Sequence, residues 1–149
     1  QIVRNARERL GAKLVPTGSS GVRALFKALR RNEMIAILPD QDPAGDKHGV
    51  FAPFFGVPAK TMTLLNRLAH KSNTQVFFAY AERLKGGRGY RLCFESARPE
   101  ISSNDAIESA TYMNQAIEKI VRVNPSQYQW TYKRFRTRPS GEPKFYPDT

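Results

Sequence analysis

The sequence predicts an α/β domain built on a mainly parallel, helix-covered sheet. Three observations carry that expectation. Strand-length apolar runs alternate with amphipathic helix-length runs through the first 80 residues, and such alternation resolves into parallel strands joined by helices. The run "EMIAILP" (33–39) is apolar without interruption after its first residue, as a fully buried strand is. It stops at a proline, and Asp40 and Asp42 follow, where sheets of this kind hold their ligands beyond the carboxyl ends of the strands.

The elements follow in order. Ile2, Val3, Ala6 and Leu10 recur at three- and four-residue spacings among Arg4, Arg7 and Arg9, which predicts a helix over 2–10 ended by Gly11. "AKLVP" (12–16) is a short strand, and "TGSSG" (17–21) a loop that supplies a serine or threonine cap to a helix over 21–31. After the 33–39 strand comes a loop with no element of its own until Thr61, then a helix over 61–71 that buries Leu65, Leu68 and Ala69. "TQVFFAYAERL" (74–84) and "YRLCFES" (90–96) are strands joined by the turn "KGGRG". Asn104 or Asp105 caps a long helix whose stripe is Ile107, Ala110, Met113, Ile117, Ile120 and Val121, and Pro125 interrupts that helix or starts another. No repeat and no second-domain boundary is visible. Residues 1–138 read as part of one domain and 139–149 as a loosely ordered tail.

Composition narrows the function classes. No window approaches 18 consecutive apolar residues, so no membrane span is predicted, and no signal peptide is recognisable. The single cysteine, Cys93, lies in an apolar run and implies a reducing compartment without a disulfide framework. The chain begins at Gln1 and not at Met, which points to a processed product or a piece of a longer protein. The net charge of +11 sits at the two ends: eight Lys/Arg against one acid over 1–31 and seven against two over 119–149, with nine against ten between them. Such basic ends suit nucleic acid, anionic lipid, a phosphorylated sugar or an acidic protein, and equally a solubilising surface.

Local motifs exclude several chemistries. Asp40, Asp42 and Gly45 fall at positions one, three and six of a calcium loop, but Ala44 and Phe51 stand where oxygen ligands are needed. His48 and His70 lack a second ligand at metal-binding spacing, so no metal or cofactor is implied. "GSSG" is one residue short of a nucleophile elbow and reads as a helix cap. "RGYRLCF" (88–94) echoes the aromatic strand of an RNA-recognition domain, but Arg91 and Leu92 replace the stacking residues. A basic RNA- or acidic-lipid-binding domain without catalysis remains the alternative reading, with Tyr128, Trp130, Tyr132 and Phe135 as its stacking candidates.

Several stretches, taken in order, resemble one family. They are "RERLGAKLV", "ALRRNE", "LPDQDPAG…GVFAPFFGVPAKT", "LNRLAHKSN" and "NPSQYQWTYKRFRTRPSGEP". Together they resemble the late acyltransferases of lipid A biosynthesis, the lauroyl/myristoyl transferases, and cover nearly all of the chain. One departure is Tyr132, where many members carry histidine. The resemblance implies a sheet of the glycerolipid-acyltransferase type, incomplete here at its N-terminal side. It implies transfer of a fatty acyl chain from acyl carrier protein to a hydroxyl of a lipid A precursor at the cytoplasmic face of the inner membrane, with no nucleic acid partner. The family's general base is a histidine followed by four residues and an acid. Pro53 lies five residues after His48 and Gln75 five after His70, so the motif is expected upstream of this chain, beside a membrane anchor. Asp40, Asp42 and Arg7 become supporting catalytic candidates. Arg9, Phe51, Phe54, Phe55, Arg134 and Arg136 become substrate-binding candidates, with Val50 and the phenylalanines lining an acyl path or dipping into the bilayer surface.

Overall fold

A computed structural model describes residues 8–9, 11–43 and 49–147. Two compact units result, Gln1–Ala36 and Ile37–Thr149. The expected 2–10 helix, Arg7 and His48 lie outside the described residues, apart from Glu8 and Arg9. Gly11 closes a turn there, its N–H donating to the Glu8 carbonyl at 3.0 Å with φ at 88°.

The first unit is organised by helix α1, Ser19–Arg30. Its cap is Gly18, with no side chain bonded to the first turn, and the serines expected as caps stand at Ser19 and Ser20 inside that turn. Lys27 and Arg30 complement the partial negative charge of its last turn. Gly21 is needed because a Cβ there would lie 1.8 Å from the Pro16 carbonyl oxygen.

Neither the 12–16 nor the 33–39 segment forms a ladder. Neither is helix or strand, and Met34 is 96% and Leu38 54% exposed. An apolar run becomes a strand only when a neighbour accepts its backbone hydrogen bonds. Among the described residues no strand pairs with either segment.

Among its described residues the second unit holds four strands in two antiparallel pairs. Strands β1 (Gly49–Phe54) and β2 (Val57–Met62) form a hairpin where a loop was expected. Its two-residue turn has φ of 50° at Phe55 and 78° at Gly56, the left-handed pair that matches strand twist. Helix α2, Leu64–Ser72, starts three residues later than expected because Thr61 and Met62 belong to β2, and Asn73 ends it with φ at 47°. Strands β3 (Phe77–Arg83) and β4 (Tyr90–Ser96) form the second hairpin, close to its expected bounds. Helix α3, Ala106–Val123, is capped by Asp105, whose carboxylate accepts from the Ile107 N–H at 2.8 Å. Pro125 starts a separate short turn through Gln127.

The core lies where α3 crosses the first hairpin. Phe54, Ala59, Phe78, Ile101, Tyr112, Met113, Ile117 and Val121 form it. Burying a side chain such as Phe54 stabilises the fold by about 2–3 kcal/mol. Of the expected stripe, Ile107, in the first turn of α3, stays 55% exposed.

Candidate active site

The two sequence stretches singled out above, the Asp40–Asp42 loop and the basic aromatic tail, meet around one buried carboxylate. Asp42 has a side chain only 1% exposed. Its Oδ2 accepts from the Thr137 N–H at 3.2 Å and from the Thr137 hydroxyl at 2.7 Å, with the Arg136 Nε at 3.6 Å. Its own N–H donates to the Tyr132 hydroxyl at 2.7 Å. A carboxylate taken out of water costs several kcal/mol unless donors and an opposite charge offset the loss. The tail supplies both, so Asp42 fastens residues 132–137 to the loop.

Beneath it runs a second polar chain. Arg134, 3% exposed, donates from Nη1 to the Lys60 carbonyl at 2.6 Å and from Nη2 to the Thr61 hydroxyl at 2.9 Å. Its guanidinium lies 5.6 Å from the centre of the Phe54 ring. Burial pushes its pKa down, opposed by the neighbouring Tyr128 and Asp42. Thr61 in turn accepts from the Asn114 amide at 3.0 Å, and that amide also donates to the Pro53 carbonyl at 3.0 Å. Helix α3, the first hairpin and the tail are thereby joined through side chains alone.

Asp40 is half-buried beside this network. Its charge, after burial itself, helps push the Tyr128 hydroxyl up to about 12. Tyr128 therefore stays protonated and able to donate throughout the physiological range. The Tyr128 and Trp130 rings meet edge-on at 4.9 Å, and Trp130 reaches Phe55 at 5.9 Å. Phe55 tolerates its left-handed backbone because its N–H donates to Glu118 at 2.7 Å and Arg122 covers its ring at 4.7 Å. Residues after 138, expected to be loose, are described as far as Pro147, and there Phe145 stacks on Phe135 at 4.6 Å.

The candidates thus fall into distinct places. Asp40, Asp42, Arg134 and Arg136 converge on the loop-to-tail junction. Arg134 and Phe54 are occupied by the interior: the guanidinium holds the β2 backbone and Phe54, 1% exposed, is core, so neither presents a face to a ligand. Phe51 is 36% exposed on the opposite face of β1, Val50 and Phe55 are half-buried, and Arg9 is exposed in the first unit. His70 lies in the last turn of α2 with its ring against the Ser102 carbonyl at 3.0 Å. No group of three His, Cys, Asp or Glu gathers as a metal site among the described residues. Sequence reasoning missed Asn114, although a polar residue in register with Ala110, Ile117 and Val121 on a buried stripe was a usable signal. Tyr132 and Thr137 carried no such signal as partners of Asp42, because nothing local ties positions 90 and 95 residues away.

Comparison with known proteins defines the class to which this loop and tail belong. The sequence profile of the bacterial lipid A biosynthesis acyltransferases matches residues 1–137, and the chain belongs to that family. It is 34% identical over 126 residues to the lipid A biosynthesis lauroyltransferase of Escherichia coli (strain K12), covering 84% of the chain and 41% of that enzyme. It is 35% identical over 144 residues to the palmitoleoyltransferase of the same organism, covering 94% and 45%, and 28% identical over 138 residues to its myristoyltransferase, covering 91% and 42%. The chain spans less than half the length of these relatives. Among the described residues no helix is long and apolar enough to cross a membrane.

Proposed function

We propose that the chain is the substrate-side part of an acyltransferase that moves a fatty acyl group from acyl carrier protein to a hydroxyl of a lipid A precursor. In this reading the whole enzyme works at the cytoplasmic face of the inner membrane on a mainly parallel, helix-covered sheet, to which residues 1–138 belong as one domain. The general base, a histidine held by an acid five residues on, lies outside the 149 residues, so the chain alone does not turn over.

The observation that carries the reading is the contact of Asp42 with Thr137, which joins two family motifs 95 residues apart into one structure. Asp42 is then a positioning residue. By fixing the tail it sets Arg136, whose side chain is 65% exposed, at the rim of the site, where a guanidinium suits a phosphate of the acceptor. Asp40 is left to orient the acceptor, and Arg7 or Arg9 to meet the thioester oxygen or a phosphate as negative charge develops. Phe51, on the face of β1 turned away from the core, is left to line the acyl path, since Val50 lies on the Phe54 face and Phe55 is covered by Arg122 and Trp130. The basic ends of the chain suit an acidic carrier protein and anionic lipid alike.

The test is Asp40→Asn in the full-length protein, assayed with acyl carrier protein as donor and lipid A precursor as acceptor. A fall in kcat/KM of roughly 100-fold or more, with the Trp130 fluorescence melt unchanged, is the expected result. Near-normal turnover would make the loop purely structural. Turnover by the 149-residue chain alone would overturn the placement of the base.

A further inference from the structure

The second hairpin is turned inside out. Cross-strand pairing puts Phe77, Ala79, Ala81 and Arg83 on one face with Ser96, Phe94, Leu92 and Tyr90. That face is the outward one: Phe77 is 54% exposed, Tyr90 64%, Leu92 68% and Phe94 69%. The opposite face carries Phe78, Tyr80 and Cys93 among Glu82, Arg91 and Glu95, and it is the side that meets α3, through Phe78 on Tyr112 and Lys119 on Glu95 at 2.7 Å. A half-buried antiparallel sheet ordinarily alternates apolar-in and polar-out. Here the more apolar face is the bare one.

Its relief is that of a packing surface. Ala79 lies opposite Phe94, Ala81 opposite Leu92, and Phe77 opposite Ser96. Each pair sets a large side chain against a small one: Ala79 and Ala81 leave a hollow in β3 beside Phe94 and Leu92 of β4, and at the Phe77–Ser96 end the large side chain changes strand. Large-against-small relief interlocks with the side chains of another protein element, whereas a fluid lipid surface has no use for it. Among the described residues the hairpin is a sheet of only two strands, with no strand on either outer edge and only Arg83 of β3 bonded there, by the Gln127 side chain, and two strands alone are marginal in water.

We infer that this face is the seat of the remainder of the acyltransferase domain, the portion of its relatives that the chain does not span. The match covers only 41–45% of the lauroyl- and palmitoleoyltransferases, so more than half of the family's length is available to cover it. The inference rests on the reading that the enzyme is a longer domain, but its readout is burial and not turnover. The two can therefore fail separately.

Three measurements test it. In the 149-residue chain, the face binds the dye ANS, and Leu92→Lys with Phe94→Lys lowers that signal about threefold while the Trp130 melt is unchanged. In the unmutated full-length protein ANS binding is lost, and β3 and β4 amides exchange at least about tenfold more slowly than in the chain. The double substitution introduced at full length destabilises the protein. Equal ANS binding and equal exchange in the two wild-type forms would overturn the inference. So would a full-length double variant that folds normally and has lost a discrete dimer, which would assign the face to a second copy. Loss of binding to anionic vesicles by a normally folded full-length variant would assign it to lipid and overturn the inference too.

Discussion

The two hairpins have nearly the same size, six residues per strand in one and seven in the other, and opposite fates. The first is held on several sides: Asn114 from α3 reaches the backbone of β1, while Arg134 and Arg138 donate to the backbone of β2. Ala52, Phe54, Ala59 and Thr61 are at most 1% exposed. The second hairpin meets α3 on one face and shows four large apolar residues on the other. Phe54 and Phe94 make the contrast in single residues, at 1% and 69% exposure. A strand's own sequence decides which residues share a face. Which face is covered is decided by what the rest of the fold brings to it.

The contrast can be broken or sharpened by unfolding the chain in urea and following its single tryptophan, Trp130. Phe54→Ala should have the largest effect, about 4 kcal/mol, because a buried ring leaves a cavity that α3 and the tail cannot close. Asp42→Ala should follow at about 3 kcal/mol, since Thr137 and Arg136 lose their acceptor and the tail its fastening. A loss under about 1 kcal/mol would mean the tail is held by its aromatic contacts instead.

Tyr128 sets a pH dependence of intermediate size. Its hydroxyl ionises near 10 in the unfolded chain and at about 12 in the fold. The unfolded state therefore releases its proton first as pH rises. The contribution is complete below pH 10 and is lost between 10 and about 12, amounting to about 1–2 kcal/mol. Tyr128→Phe should flatten that part of the profile. At the small end, Phe94→Ala should change the stability of the 149-residue chain by no more than about 0.5 kcal/mol. A cost like that of Phe54→Ala would show that the outward face is already packed in solution.

What the sequence made legible follows the reach of each signal. The bounds of β4 and the choice between two caps for α3 are local matters, set by two-residue alternation and by one carboxylate bonding two residues ahead. The first hairpin was hidden because its turn is Phe-Gly and not Asn-Gly, so a bulky residue sits in a left-handed conformation that only Glu118, Arg122 and Trp130 make tolerable. The 33–39 segment shows the converse: its apolar continuity is that of a strand, but no described strand pairs with it, and a ladder needs a neighbour. At the site, the types and positions of Asp40, Asp42 and the tail arginines were legible. The division of labour was not, because one buried arginine and one exposed arginine two residues apart look alike until the fold separates them.

Gly49 carries a practical consequence. A Cβ on it would stand 2.7 Å from the Pro43 ring and 2.8 Å from the Thr61 carbonyl oxygen, so the residue after Asp42, the start of β1 and the end of β2 close on one corner. Position 49 is therefore the wrong place to engineer: Gly49→Ala would force that corner open and move the Asp40–Asp42 loop with it.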